Sequence, residues 1–117
     1  MIYTQKKCDK LLSPIIIKLH PKCLLCPANT QVAHHHVHKS KSLALRYDFE
    51  NLIPLCHSCH LKLHFNESYW ASIIVQKKGM AWFKKLDRAK EKLMVGKDKI
   101  DYEKVFHRLT TLLEEQA

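Results

Sequence analysis

The sequence has little glycine and proline, with two glycines and four prolines among 117 residues. Proteins built from many short strands need these residues at their turns, so the composition argues against a turn-rich β-sandwich. It also argues against a disordered chain, because disordered segments are often rich in both residues. We therefore expect a folded, mostly helical protein.

Long apolar runs are also missing. The longest early run is Ile15–Ile17, between Pro14 and Lys18, and it is too short for a signal-peptide core or a membrane-spanning helix. We therefore expect a cytoplasmic protein that makes no membrane contact. The length suits a single domain, residues 1–117, whose small core would gain stability from a bound metal ion.

Acidic residues are scarce relative to basic ones, 11 against 20, which leaves a formal net charge of +9. The excess is concentrated in residues 1–65, which hold 9 basic and 3 acidic side chains, whereas residues 66–117 hold 11 and 8. A surplus of this size attracts polyanions such as nucleic acid. The alternative, a solvated basic surface without a partner, stays open on charge alone.

Four of the five cysteines form two pairs, Cys23-x-x-Cys26 and Cys56-x-x-Cys59. Each pair brings two thiolates to one side of the backbone, and two pairs complete a tetrahedral site for structural Zn²⁺. A redox motif would leave the second pair unexplained, and disulfides are rare in the cytoplasm. The string CHSCH at residues 56–60 also fits c-type haem attachment, but haem would need export and would leave the first pair without a role.

Histidines are concentrated in one stretch, since seven of the nine lie between residues 34 and 64. His60 and His64 are four apart on a predicted helix, so both imidazoles face the same way, as paired metal ligands must. His35 and His36 lie on a predicted strand, where neighbours point to opposite faces unless the strand twists or ends. One of them could bind a metal ion while the other contacts a substrate water.

The periodicity of apolar residues, together with the residues that begin or end helices and strands, predicts the secondary structure around these motifs. Residues 5–20 predict a helix or a pair of short helical turns, in which Pro14 opens a new turn or kinks the old one. Short strands are predicted at residues 32–38 and 51–55, joined by a long basic loop. Helices are predicted at residues 56–65, from Asn66 to residue 78, at residues 80–94, and after Asp101.

The stretch HHHVHKSKSLALRYDFENLIPLCHSCHLKLH resembles the signature of HNH endonucleases, and its pattern is similar to that of small phage proteins of the NinG-like kind. The His-His pair, the segment LRYD…N and the string LCxxCHxxxH follow one another in the family's order. The resemblance implies an α+β, mostly helical fold. Its ββα-metal (HNH) centre would carry a pair of zinc knuckles with four cysteines in total, with core residues 20–65 and C-terminal helices 66–117.

The resemblance also implies roles for individual residues. His35 and His60 bind a catalytic divalent ion, Mg²⁺ or Mn²⁺ with Zn²⁺ or Ni²⁺ as alternatives, and His64 is a third ligand or a phosphate contact. His36 is the general base that takes a proton from the attacking water. Asn51 holds the segment around His36 in place through hydrogen bonds.

A third histidine leaves the register of this pair open. The metal ligand and the general base could be His34 and His35 instead of His35 and His36. The spacing of 15 residues from His36 to Asn51, and Val37 after the pair, favour His35/His36.

Basic residues flank the predicted site and are expected to bind DNA phosphates. They are Lys39, Lys41 and Arg46 in the predicted loop and Lys62 on the predicted metal-binding helix. Arg46 is the candidate for a contact near the scissile group, since a guanidinium can bind phosphate through two hydrogen bonds. The alternative is that Arg46 pairs with Asp48 or Glu50 and stiffens the loop.

The function expected from this resemblance is hydrolysis of DNA phosphodiester bonds, leaving a 5′-phosphate and a 3′-hydroxyl. Nicking, cutting of branched DNA and a homing-type role are all compatible with it, and a phage-encoded protein would act in the host cytoplasm. A non-catalytic zinc-knuckle module that binds DNA is the alternative. The chain could act as a monomer or as a homodimer.

Overall fold

A computed structural model describes residues 2–36, 45–95 and 100–116, with side chains omitted for residues 90–95. The expected α+β, mostly helical class is confirmed, with six helices and one two-stranded sheet in the described part of the chain. The elements in chain order are α1 (Gln5–Asp9), α2 (Leu12–Leu19), β1 (Val32–His35), β2 (Leu52–Leu55), α3 (His57–Phe65), α4 (Glu67–Lys78), α5 (Met80–Val95) and α6 (Tyr102–Glu115).

The N-terminal region forms two short helices, which was one of the two predicted outcomes. Thr4 begins α1, and its hydroxyl accepts a hydrogen bond from the Lys7 backbone N–H at 3.2 Å. Pro14 lies in the first turn of α2, where helix N–H groups have no intrahelical acceptor, so its missing N–H does not interrupt the helix.

The sheet pairs β1 with β2 in an antiparallel register. Val32 lies opposite Leu55, and His35 lies opposite Leu52, so the histidine run comes at the end of the paired segment. All four residues of β2 are buried. The chain before β1 is bound to the same strand, because the Leu24 N–H donates to the Pro54 carbonyl at 2.9 Å.

Local sequence signals account for most helix boundaries. Asp101 accepts a hydrogen bond from the Lys104 N–H and begins α6, as predicted. Gly79, with φ of 97°, ends α4. Asn66 precedes α4 at the predicted position, but the structure gives its side chain no capping hydrogen bond. The same residue also ends α3, its N–H donating to the Lys62 carbonyl.

Two apolar clusters lie on either side of β2. Ile53 and Leu55 belong to a cluster with α3, α4, α5 and the first cysteine pair, whereas Leu52 belongs to a cluster with α1, α2 and α6. The alternation of side chains along a strand explains how one short strand joins both clusters. In the described part of the chain, no helix is long and apolar enough to cross a lipid bilayer.

Ile53→Ala is expected to lower the free energy of unfolding by about 2–5 kcal/mol, because Ile53 is completely buried and its loss leaves a cavity in the cluster with α3. Ile53→Val should cost only about 0.5–1.5 kcal/mol. Urea titration followed by circular dichroism measures both. Ile17→Ala, at a side chain 38% exposed on α2, is the control, and an equal loss in the control would contradict the assigned burial.

Candidate active site and metal centre

The two cysteine pairs form one cluster. Cys23 and Cys26 come from the turn before β1, while Cys56 and Cys59 come from the first turn of α3. All four Sγ atoms lie within 4.8 Å of one another, and Cys26 Sγ is 3.6 Å from Cys56 Sγ. Tetrahedral zinc with bonds of about 2.3 Å to sulfur holds its sulfurs about 3.8 Å apart. The four thiols therefore fit a structural Zn²⁺, as predicted.

Backbone hydrogen bonds shape this cluster. Cys56 begins α3, and its Sγ accepts a hydrogen bond from the Cys59 N–H at 3.4 Å. That bond is the main reason why the pKa of Cys56 is lowered to about 7. The Cys23 N–H donates to the Ala28 carbonyl at 2.9 Å and closes the turn of the first pair. All four cysteines are free thiols, which agrees with metal binding rather than with disulfides.

A second group, which we call the histidine cluster, consists of His34 from β1 with His60 and His64 from α3. The ring centroids of His60 and His64 are 4.6 Å apart, and that of His34 lies 5.2 Å from His60 and 6.5 Å from His64. The i, i+4 spacing brings the two helical rings together, as predicted. Burial lowers the pKa of His60, and the imidazoles of His64 and His57 lower it further, so the neutral ring is favoured.

The histidine cluster lines a cavity of about 300 Å³. The cavity wall also includes Ala33, His35, Arg46, Leu63 and Glu67. A larger depression, about 970 Å³, lies between residues 47–50 and α6 and is lined by both acidic and basic side chains. Size alone therefore does not identify the site, whereas the convergence of imidazoles does.

His35 is oriented by the main chain. Its Nε2 lies 3.0 Å from the carbonyl oxygen of Arg46. A carbonyl only accepts hydrogen bonds, so Nε2 carries the proton and Nδ1 is the acceptor nitrogen of the neutral ring. This tautomer has a basic nitrogen in a residue that lines the cavity.

His36, the predicted general base, has a different environment. Its ring packs against Trp82 and Phe83 of α5, with centroid separations of 5.0 and 6.5 Å. Its backbone N–H donates to the Asn51 carbonyl at 2.9 Å. The cavity wall thus receives His34 and His35 from β1, which is the alternative register of the pair. The spacing to Asn51 and Val37 favoured His35/His36, but neither signal reports which of three consecutive histidines faces the cavity.

Arg46, a predicted DNA contact, is bound by an acidic partner that the sequence did not suggest. Its Nε and Nη2 donate to the Asp9 carboxylate at 2.9 and 2.7 Å, and the Tyr47 hydroxyl donates to the same carboxylate at 3.0 Å. The alternative in which Arg46 pairs with Asp48 or Glu50 is therefore wrong in its partner, since Asp9 binds the guanidinium and Asp48 accepts from the Glu50 N–H. Asp9 was missed because it precedes Arg46 by 37 residues.

Residues 45–51 are held by hydrogen bonds to their carbonyl groups. Asn51, fully buried, donates through Nδ2 to the Leu45 carbonyl at 3.0 Å. The Trp82 indole N–H donates to the Glu50 carbonyl at 2.7 Å, and Arg108 donates to the Tyr47 carbonyl at 2.9 Å. With His35 on the Arg46 carbonyl, four side chains satisfy this irregular backbone. No motif marked Trp82 or Arg108 as contributors.

The predicted DNA-binding lysines are only partly described. Lys39 and Lys41 lie outside the described residues. Lys62 is exposed on α3, two residues before His64.

Cys59→Ser should abolish stoichiometric zinc binding and lower the melting temperature, because it removes one of four ligands from a buried cluster. Metal analysis of purified protein and thermal unfolding measure the two effects. Cys8→Ala is the matched control, since Cys8 is an equally buried thiol outside the cluster. Zinc retained by Cys59→Ser, or lost from Cys8→Ala, would refute the assignment.

Comparison with known proteins agrees with this geometry. Residues 22–66 match the family model described as HNH endonuclease. Neither the curated proteins nor the solved structures contain a significant match. The matched region spans both cysteine pairs, the sheet and all three members of the histidine cluster. Over residues 22–66 the chain is therefore similar to HNH endonucleases.

Proposed function

We propose that this protein is a divalent-metal-dependent DNA endonuclease that hydrolyses phosphodiester bonds and leaves a 5′-phosphate and a 3′-hydroxyl. The observation that carries the proposal is the convergence of His34, His60 and His64 on one cavity, inside the region that matches the HNH endonuclease model. A basic chain with net charge +9 suits a polyanionic substrate.

The histidine cluster would hold the catalytic cation. Imidazole nitrogens bind such ions at about 2.1 Å, which places ring centroids about 4.5–5.2 Å apart. Two of the three separations, 4.6 and 5.2 Å, fit this range. The third, 6.5 Å between His34 and His64, is wider, and rotation of the exposed His64 ring would shorten it. A bound cation would neutralise charge on the scissile phosphate and on the leaving 3′ oxygen.

His35 is the residue we assign as general base. Its Nε2–H is bound to the Arg46 carbonyl, so Nδ1 is the nitrogen that accepts a proton from the attacking water. This assignment moves the predicted roles of ligand and base one residue towards the N-terminus, to His34 and His35. It is supported by the packing of the His36 ring against Trp82.

Asn51 is assigned as a positioning residue. Its side chain holds the Leu45 carbonyl, and the next carbonyl along the chain, that of Arg46, accepts from His35. Its own carbonyl accepts from the His36 N–H. Asn51 therefore connects the end of β1 to the segment that orients the base.

The basic residues differ in what they offer a substrate. Lys62 is exposed on α3, about 180° around the helix axis from the face of His60 and His64, and its charge and exposure support a contact to a backbone phosphate outside the cavity. Arg46 lines the cavity, but its guanidinium is held by Asp9, which favours a structural role for the side chain. The described part of the chain holds one histidine cluster, which suits a nick in one strand, so a monomer would nick, and a homodimer could cut both strands. Action on branched DNA, as the NinG-like pattern implies, belongs to the same proposal.

His35→Ala is expected to abolish nicking of supercoiled plasmid in Mg²⁺ or Mn²⁺, with Ni²⁺ and Zn²⁺ tested in parallel, because the general base is lost. His36→Ala is the matched control and should retain most activity. Both variants must keep stoichiometric zinc in the cysteine cluster, which shows that the fold survives.

If activity is lost in His36→Ala and kept in His35→Ala, the general base is His36, as the sequence favoured. If the zinc-loaded wild type binds DNA but cuts no substrate with any of the four ions, the protein is a zinc-knuckle DNA-binding module instead.

Asn51→Ala should lower the nicking rate constant about 10–100-fold while changing the KM for DNA little, because the residue orients the base and does not contact the substrate. It should also cost about 1–3 kcal/mol of unfolding free energy, since it removes a buried hydrogen bond. Asn29→Ala, at an exposed amide bound to Lys22, is the control. A loss confined to KM would argue against a positioning role.

A further inference from the structure

We propose that the outer face of α3, formed by Leu61 and Phe65, contacts DNA bases, and that the substrate is therefore DNA with unpaired or unstacked bases beside the cleaved phosphate. This inference rests on the proposed function and specifies its substrate class. Leu61 and Phe65 are called the apolar face below.

The helical period places the apolar face next to the histidine cluster. Successive residues of an α-helix are about 100° apart around its axis. Leu61 and Phe65 each follow a histidine by one residue, so their face is displaced by that angle from the face of His60 and His64. The third face, with Cys59 and Leu63, is buried in the core.

The apolar face is open to solvent. Phe65 is 83% exposed and Leu61 is 58% exposed, although both are large hydrophobic side chains. A surface helix normally presents polar residues outward, and single apolar residues there need no explanation. Here, however, two of them share one face and adjoin the candidate active site. Their position, more than their exposure, indicates contact with the substrate.

The charge around this face favours nucleic acid as the occupant. Lys62 is exposed on the same helix, three residues before Phe65, and the chain carries a net charge of +9. A nucleotide offers a phosphate for the lysine and a flat aromatic surface for the phenyl ring. Aromatic side chains next to cationic ones are the usual means of binding exposed bases.

The geometry of intact duplex DNA limits how Phe65 could act on it. Bases in a duplex are stacked on one another, so a ring meets a base face only where a step is opened, and opening one is costly. A bulge, a junction or a single strand presents such faces without that cost. The apolar face therefore predicts a preference for distorted over continuous duplex DNA.

The first test measures binding by fluorescence anisotropy, with full-length zinc-loaded protein and no added catalytic metal. The probes are a continuous duplex and the same duplex with a central three-nucleotide bulge. Phe65→Ala should bind the bulged probe about 5- to 100-fold more weakly, with a smaller effect on the duplex. Ile2→Ala removes a side chain that is 78% exposed outside α3, and it should bind both probes as the wild type does.

Salt dependence separates stacking from charge. Phe65→Ala should leave the slope of log affinity against log salt unchanged, because no phosphate contact is lost. Lys62→Ala should reduce that slope by about one and weaken binding to both probes alike. A changed slope in Phe65→Ala would contradict base contact.

Phe65→Trp gives a direct spectroscopic readout. The fluorescence of the new tryptophan is obtained by subtracting the wild-type signal, which comes from Trp70 and Trp82. The bulged probe should quench this fluorescence, because a base stacks on the indole ring. Affinity should equal or exceed that of the wild type, since indole has the larger aromatic surface.

The inference is overturned if Phe65→Ala binds the bulged probe as tightly as the wild type does, or if the tryptophan is not quenched. It is equally overturned if Phe65→Ala converts a dimer to a monomer without changing DNA binding, because the occupant would then be a second copy of the chain. A wild type that nicks plasmid alongside such results would leave the proposed nuclease function standing. A wild type that cuts no DNA would contradict that function independently.

Discussion

Closure of the cysteine cluster is the constraint on which the rest of the structure depends. It joins residues 23–26 to residues 56–59, and the loop between them carries β1, the irregular segment at residues 45–51 and β2. His34 and His35 lie inside this loop, whereas His60 and His64 follow the second cysteine pair directly. A four-thiolate metal site supplies folding energy that a small core lacks, and it brings the two halves of the histidine cluster together. Cys56 contributes twice, since its Sγ joins the cluster and also accepts the hydrogen bond that begins α3.

The second constraint is the attachment of residues 45–51 to their surroundings. Backbone hydrogen bonds within the segment reach the carbonyls of Leu45 and Asp48, and side chains from β1, α5 and α6 and from within the segment bind the carbonyls of residues 45, 46, 47 and 50. One of those bonds selects the tautomer of His35. The chemistry of the site therefore depends on the packing of α5 and α6, although neither helix belongs to the region that matches the HNH family.

Much of the fold could be predicted because its signals are local. Asp101 and Gly79 mark helix boundaries by their own conformational preferences, and the pairing of His60 with His64 follows from helical spacing. The sequence favoured His35/His36 as the histidine pair, whereas His34 and His35 line the cavity, because spacing to Asn51 does not report which side chains face the cavity at the end of β1. The partner of Arg46 could not be predicted either, since Asp9 comes from a helix remote in sequence.

The bonds to main-chain carbonyls have a consequence for how this site can vary. A carbonyl oxygen is present whatever residue occupies the position, so His35 and Trp82 would keep their partners if Arg46 or Glu50 were replaced. Arg46 lines the cavity beside the histidine cluster, whereas Glu50 is an exposed residue of the larger depression against α6. The orientation of the His35 and Trp82 rings can therefore be kept while the side chains at these two positions diversify during evolution. The same separation would let an engineer change the exposed side chain of Glu50 without removing the hydrogen bond that its carbonyl accepts from Trp82.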